Sequence, residues 1–483
     1  MPSQALNWIG GRWIAARSHA FSDSFDPATG AVLGQYADSG AADVIEAIAR
    51  ARTAFDDLPW RHQPRARASV LLDFADRLQT AAPEIVDLLT AENGKLRRES
   101  EAELAFSVNE LRYYAGLTRT ISGRISELEP GQYSMIAREP MGVAAIIVPW
   151  NAPVILLMRS LAPALAAGCT VVVKSAPQTA LSSERVMRVL SDVAGLPAGV
   201  VNMFAETGSE GARLLVSSPD VDVVSYTGST HVGKQIMAAA AGTLKRLNLE
   251  LGGSAPCIIL PDASLDSAVP ALVRAGMVMA GQQCVAASRL LVHQSIFDNA
   301  VDRFATRLDA LRVGPGNRPE SEMGPLIDIA ARDRVCQLIE ASRGRNDVIL
   351  AGTVPPDTPP AGAFLSPSLI RIRDPSSEIS CQETFGPILT IEPFADEREA
   401  VARANRGRFG LAASVWTADL AHGQRIASRV QSGTVWINSH GRLSPETETG
   451  GYKESGLGRL HGPQGLDEFL QSKHIAWDLG STP

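Results

Sequence analysis

The chain is expected to fold as an α/β protein with a parallel sheet and crossover helices, and three patterns carry that expectation. From Gly142 onward, short β-branched runs at 143–148, 170–174, 200–204 and 221–226 alternate with helical stretches, as strands buried on both faces do. Ahead of them, Val44, Ile48, Ala51 and Phe55 recur at helical spacing, and Val70, Phe74, Leu78 and Ile85 continue that period in a second helix from Pro64. After Gly253 a second α/β region follows, with helices expected near 265–280 and 295–312 and strands near 388–393 and 433–438. The Pro- and Gly-rich segment 352–367 reads as loop. Segments 118–138 and 471–478 are strand-like without a core of their own; such arms commonly pair with another subunit, so oligomerisation is expected.

Size and composition bound the rest. A chain of 483 residues, 45% of them hydrophobic, is long enough for two or three domains. The net charge of -7 comes from 52 acidic and 45 basic residues with no basic block, which argues against nucleic acid as a partner. Five cysteines, at 169, 257, 284, 336 and 381, are odd in number and lack a C-x-x-C pair. Neither a disulfide framework nor a metal site is expected, and a reducing compartment fits. Residues 1–17 carry no apolar leader, and no run reaches the length of a membrane span. The expectation is a cytoplasmic protein that does not engage a membrane.

Three separated segments carry groups suited to thioester chemistry. Cys284 ends Gly281-Gln282-Gln283-Cys284. A thiolate nucleophile is favoured by small neighbours and a nearby helix N-terminus, which lower the thiol pKa from ~8.5; the plainer alternative is a buried thiol. Glu250 ends a strand-like run and precedes Leu251-Gly252-Gly253, where two glycines would let the backbone turn and free the carboxylate to reach water; an N-cap or surface ion pair is the alternative. Asn151, in Pro149-Trp150-Asn151, follows a strand and precedes a helix, so its amide can hold an oxyanion or cap the helix. Gly228-Ser229-Thr230-His231-Val232-Gly233 lies between a strand and a helix, where its amides can meet a pyrophosphate. It is not G-x-G-x-x-G, and a plain turn explains it equally. Lys174, at a strand end, can reach a ribose hydroxyl or a phosphate, or be solvated.

These segments, together with Glu383-Thr384-Phe385-Gly386-Pro387 and Gly450-Gly451-Tyr452-Lys453-Glu454-Ser455-Gly456, resemble the aldehyde dehydrogenase superfamily from end to end. The resemblance implies a Rossmann-type cofactor domain at 1–118 and 141–250, an α/β catalytic domain at 251–465, and a small β oligomerisation arm at 119–140 and 466–483 that joins a homodimer or homotetramer. It implies that Cys284 attacks an aldehyde, that Asn151 and the Cys284 N–H hold the oxyanion, and that Glu250 activates water to hydrolyse the resulting thioester. Trp150, Lys174, Pro177, Gly228, Ser229, Gly233 and Leu251 are then expected along the cofactor, with Glu383 on the nicotinamide ribose and Phe385 beside the nicotinamide.

Departures from the family pattern refine these expectations. NAD-preferring relatives often carry glutamate three residues after the lysine; Pro177 there removes both an acceptor for the 2′-hydroxyl and a charge repelling a 2′-phosphate, so use of NAD or NADP is implied. Ala152, Leu156, Arg159 and Gln283 are expected in the substrate pocket, and the helix after Asn151 is similar to that of aromatic-aldehyde dehydrogenases. Arg159 matches a carboxylate-binding arginine of succinate-semialdehyde dehydrogenases, whose second arginine corresponds here to Val278; Arg159 can also be a structural ion pair outside the pocket. An uncharged hydrophobic or aromatic aldehyde is the expected substrate. A semialdehyde, transfer of the acyl group to coenzyme A, and a non-catalytic scaffold are the alternatives.

Overall fold

The structure, a computed structural model, describes residues 3–480. Its largest unit is an eight-stranded sheet ordered Gly456–Leu457, Arg246–Glu250, Val223–Thr227, Val143–Ile147, Thr170–Ser175, Val201–Ala205, Asn7–Ile9 and Arg12–Ile14. The five central strands are mutually parallel, and the outer three pair antiparallel. Side chains on a strand alternate between faces, and both faces are covered here. Ala144, Ile146, Val171 and Val173 pack among the helices Pro64–Asn93, Arg97–Thr118, Pro153–Ala167 and Ala180–Ser191. Val143, Ala145, Ile147 and Val172 pack on the other side against Ala41–Asp57 and Glu210–Ser217. Burying both faces explains why these strands read as unbroken apolar runs.

A second, seven-stranded sheet runs Asp347–Leu350, Ser368–Arg371, Ile388–Phe394, Ala287–His293, Ala255–Ile259, Ala412–Trp416 and Thr434–Ile437. Its helices Leu265–Met277 and Phe297–Asp309 bury Leu272, Phe304 and Leu308 against Leu290 and Leu389. Segment 352–367 carries no regular element, as expected.

The third sheet joins Arg124–Glu129, Gln132–Pro140 and Leu470–Asp478 antiparallel. Ile125, Leu128, Ile475 and Trp477 are exposed on it. The chain reaches this arm by way of the first sheet: Gly456–Leu457 pairs with Leu249 and Glu250, and Leu460, Leu466 and Phe469 enter the first core. Residues 456–470 thus pack with the first unit, ahead of the boundary expected at 465. Helix Arg97–Thr118 and the strands before residue 38 were not foreseen from the sequence pattern.

Candidate active site

The first sheet reverses its strand order at Val143–Ile147. From that strand the chain moves outward through Thr170–Ser175 and Val201–Ala205, then crosses to Val223–Thr227 and Arg246–Glu250 on the other side. A crevice opens at the carboxyl ends of strands where such a reversal occurs. Trp150-Asn151 leaves one of the two strands at the reversal, and Gly228-Ser229 leaves the other.

Asn151 does not cap the helix it precedes. The N-cap of Pro153–Ala167 is Ala152, which has no side chain to offer, and the open N–H groups of Val154 and Ile155 donate instead to Glu103 Oε1, at 2.7 and 3.2 Å. Glu103 Oε2 lies 2.5 Å from Lys95 Nζ, and Lys95 also donates to the Asn151 carbonyl at 2.7 Å. Both members of this ion pair are buried, and Asn93 Nδ2 fixes the Trp150 carbonyl at 2.7 Å. With its backbone held, Asn151 Nδ2 donates to the Gln282 carbonyl at 2.9 Å. That contact uses one of two amide N–H groups, and Asn151 lines the cavity described below.

The segment before Cys284 is strained. Met279, Ala280 and Gly281 all have left-handed backbones, with φ of 49°, 56° and 74°; for the two non-glycines this costs about 1–3 kcal/mol each and needs support. Met279 N donates to Glu99 Oε1 at 2.9 Å, Gln282 Nε2 to the Met279 carbonyl at 2.9 Å, and Ile327 N to Gln282 Oε1 at 3.0 Å. A side chain at Gly281 would meet the Gly386 carbonyl at 2.2 Å. On the far side, His440 Nε2 lies 2.7 Å from the Val285 carbonyl. A carbonyl can only accept, so this nitrogen carries the proton, and burial holds the imidazole down to about 4 and neutral.

No helix N-terminus follows Cys284, contrary to expectation; the chain enters strand Ala287–His293. Burial pushes the thiol up to about 12, opposed by the Arg159 guanidinium. The two glycines after Glu250 also act differently from the expected turn. Neither has a positive φ; a side chain at Gly253 would meet the Cys284 carbonyl at 2.3 Å, and one at Gly252 would meet Glu383 Oε2 at 2.4 Å. They let three segments approach one another closely.

Glu250 is 3% exposed, and Arg159 Nη1 stands 3.7 Å from its Oε2. Burial lifts this carboxyl to about 7, with Arg159 and Arg459 pulling it down and Glu468 pushing it up. Arg159 is therefore an ion-pair partner, but inside the pocket rather than outside it. Asn151, Ala152, Leu156, Arg159, Glu250, Gln283 and Cys284 line one cavity of ≈ 1000 Å³. Phe106, Ile155, Met277, Val278 and Leu443 make much of its remaining wall apolar, while Arg98, Arg274 and Arg442 are exposed at its rim.

Behind Cys284 a narrow crevice is lined by Gly253, Gln283, Glu383 and Phe385, so Gln283 borders both spaces. Glu383 Oε1 accepts from Gly253 N at 3.0 Å, and burial lifts this carboxyl to about 7 as well. Phe385, with φ of 46°, is steadied by Arg334, which donates to the Thr384 and Phe385 carbonyls at 2.7 and 3.2 Å. The Trp150 and Phe385 rings meet edge to face with centroids 5.6 Å apart. At the neighbouring helix Thr230–Ala240, the Ser229 side chain accepts from Val232 N, the Gly228 N–H donates to the Glu250 carbonyl, and Gly233 gives space to Leu251.

Lys174 and Pro177 line neither space. Lys174 is half-buried at the end of Thr170–Ser175, burial lowering its pKa and Glu206 raising it, and Pro177 opens the short turn Pro177–Thr179. A nicotinamide dinucleotide fits these groups: a half-buried carboxylate to accept from ribose hydroxyls, an aromatic edge, and a helix N-terminus at the strand-order reversal. Lys95, Glu99, Glu103, Gln282, His440, Arg459 and Glu468 were not anticipated. Only Gln282, beside the cysteine, carried a local signal.

The aldehyde dehydrogenase family pattern matches residues 13–475. The chain is 36% identical over 477 residues to the betaine aldehyde dehydrogenase of Bacillus subtilis, covering 98% of this chain and 97% of that one. It is 36% identical over 485 residues to the phenylacetaldehyde dehydrogenase of Pseudomonas fluorescens, covering 98% and 96%. The crystal structure of betaine aldehyde dehydrogenase from Staphylococcus aureus in complex with NAD+ superposes with a TM-score of 0.96 at 34% identity, covering 98% of this chain and 94% of that one. The chain belongs to the aldehyde dehydrogenase family and is a nicotinamide-dependent oxidoreductase of the aldehyde group. Among the described residues no helix is long and apolar enough to cross a membrane, and no group of three or more His, Cys, Asp or Glu could hold a metal ion.

Proposed function

We propose that this chain oxidises an apolar or aromatic aldehyde to its carboxylic acid, with Cys284 as nucleophile, Asn151 as oxyanion donor and Glu250 as the base for hydrolysis. The observation that carries this reading is the single cavity shared by all three side chains, bordered through Gln283 by the Glu383 crevice. As the Cys284 sulfur bonds to the carbonyl carbon, the thiol gives its proton to water in the cavity, and the new oxyanion is met by the open Asn151 N–H and the Cys284 backbone N–H. NAD or NADP, held by Glu383, Phe385, Trp150 and the Ser229 turn, supplies the hydride acceptor when bound. The thioester left on Cys284 then needs an activated water. Glu250, with its carboxyl raised to about 7, is suited to take a proton near neutral pH.

The test is rapid mixing of Glu250→Gln with cofactor and benzaldehyde. The expected outcome is a burst of reduced cofactor followed by no turnover; continued turnover contradicts the role of Glu250. Rescue by coenzyme A would favour acyl transfer to a thiol instead.

Dual cofactor use follows from Pro177, and kcat/KM for NADP is expected within about a thousandfold of that for NAD. The apolar wall supports an uncharged substrate, and the engagement of Arg159 with Glu250 argues against its binding a substrate carboxylate. A second reading, an aldehyde with a distal carboxylate, is favoured by Arg98, Arg274 and Arg442 at the rim. Turnover of benzaldehyde, hexanal, succinate semialdehyde and betaine aldehyde separates the two. The exposed apolar residues of the arm support a homodimer or homotetramer, testable by light scattering.

A further inference from the structure

Arg159 projects from helix Pro153–Ala167 into the cavity yet is 5% exposed. Its Nη2 donates to Thr227 Oγ1 at 3.1 Å, and Thr227 is the register partner of Glu250 on the adjacent strand. Two neighbouring strand ends therefore fix the guanidinium and the carboxylate relative to each other. At 3.7 Å between Nη1 and Oε2 the contact is an ion pair without a hydrogen bond. Arg159 Nε and Glu250 Oε1 are both buried without a partner. Open buried polar atoms are rare and costly; here the guanidinium and the carboxylate are joined by charge alone, with no hydrogen bond between them.

We propose that Arg159 is a positioning residue for the hydrolytic half-reaction: its charge keeps Glu250 ionised beside the thioester, and it does not anchor the substrate. This rests on reading Glu250 as the base. The other groups facing Glu250 cannot substitute for it. Arg459 is engaged by the Gly451 and Gly458 carbonyls through Nη1 at 3.3 and 2.7 Å. Glu468, which accepts from Arg459 N at 3.2 Å, adds like charge. Desolvation favours the neutral thiol of Cys284, and His461, on the cavity wall, is paired with Glu110 at 3.0 Å. A substrate carboxylate binding Arg159 would have to displace Glu250 and leave a buried carboxylate unpaired.

The ionised form of Glu250 is the one Arg159 favours, so removing that charge raises the carboxyl pKa and moves the acid limb of hydrolysis to higher pH. In Arg159→Met the burst with benzaldehyde is expected to persist, while the apparent pKa of the kcat rise moves up by about one unit or more and the rate at pH 7 falls roughly tenfold. Near pH 9.5 the rate is expected to recover to within about threefold of the parent. Arg159→Lys, the milder change, is expected to show a smaller shift in the same direction or none. An equal loss at every pH, an unshifted limb in both variants, or a rise in KM confined to succinate semialdehyde overturns the proposal. Undiminished turnover by Glu250→Gln instead removes the base assignment on which it rests, so the two failures are told apart.

Discussion

The two walls beside Cys284 each carry a carboxyl group that desolvation raises to about 7, yet they are built differently. On the wall proposed for the cofactor, Glu383 is tied to Gly253 N at 3.0 Å, and the segment after it is held by Arg334. On the wall proposed for the substrate, Glu250 has no hydrogen bond to Oε1 and faces a guanidinium at 3.7 Å. A fixed carboxylate suits binding, where one geometry serves every turnover. A carboxylate with an open oxygen and a nearby charge suits proton transfer, where a water must enter and both protonation states must be accessible. The same burial thus supports two roles, and the hydrogen-bond inventory separates them.

Substitutions should break this contrast to graded extents. The largest effect is expected from Cys284→Ala, which removes the atom both walls serve: kcat should fall by about 10⁴-fold or more in steady-state assays, and residual activity near the parent value would exclude covalent chemistry there. Asn151→Ala should lower the burst rate about 10²- to 10³-fold, as loss of an oxyanion donor does, with little change in cofactor affinity. Lys95→Met breaks a buried pair behind Asn151 and leaves Glu103 uncompensated, which costs about 3–5 kcal/mol. Denaturant unfolding should register that loss, and an unchanged midpoint would deny the pair its structural part. Glu383→Gln should mainly raise KM for the cofactor, by about tenfold, leaving the pH profile of hydrolysis in place. A shifted profile would mean that the two walls are not distinct.

Stability offers a smaller, sign-specific check. Glu250 and Glu383 both have folded pKa values near 7, raised by burial above the ordinary 4.5. Groups raised in this way bind protons more tightly when folded, so their contribution is present below the unfolded pKa and lost as pH rises through the folded one. In cofactor-free protein these two groups should subtract stability between about pH 4.5 and 7, by up to about 3 kcal/mol each, while His440, held neutral by burial, adds stability over much of the same range. The double variant Glu250→Gln with Glu383→Gln should therefore gain stability relative to the parent as pH rises from about 4.5 to 7 in thermal melts. A difference between the two proteins that does not change with pH would contradict the burial of these groups.

The central strands were legible because both faces are buried: uninterrupted β-branched runs at 143–148 and 170–174 have no other plausible home. Cys284, Glu250 and Asn151 were legible because each sits at a strand end or tight turn marked by glycine, proline or tryptophan. Their supports were not. Lys95 and Glu103 act on a backbone more than 45 residues downstream, and no local pattern encodes that meeting. The left-handed Met279 and Ala280 use residues that ordinarily avoid such backbones, so tertiary hydrogen bonds, not propensity, decide their shape. Arg159 was visible as a pocket residue, but its partner was not, because helix and strand position alone do not say which way a guanidinium turns. The first strands were missed for a simpler reason: three-residue runs such as Asn7–Ile9 are too short to display a period.

The central claim is that one thiol and one carboxylate act in turn within one cavity, and acid quenching of Glu250→Gln after mixing with NAD and benzaldehyde tests it most directly. Intact mass spectrometry is expected to find the subunit heavier by one benzoyl group, carried on Cys284. An unmodified subunit accompanied by continuing release of benzoic acid would contradict it.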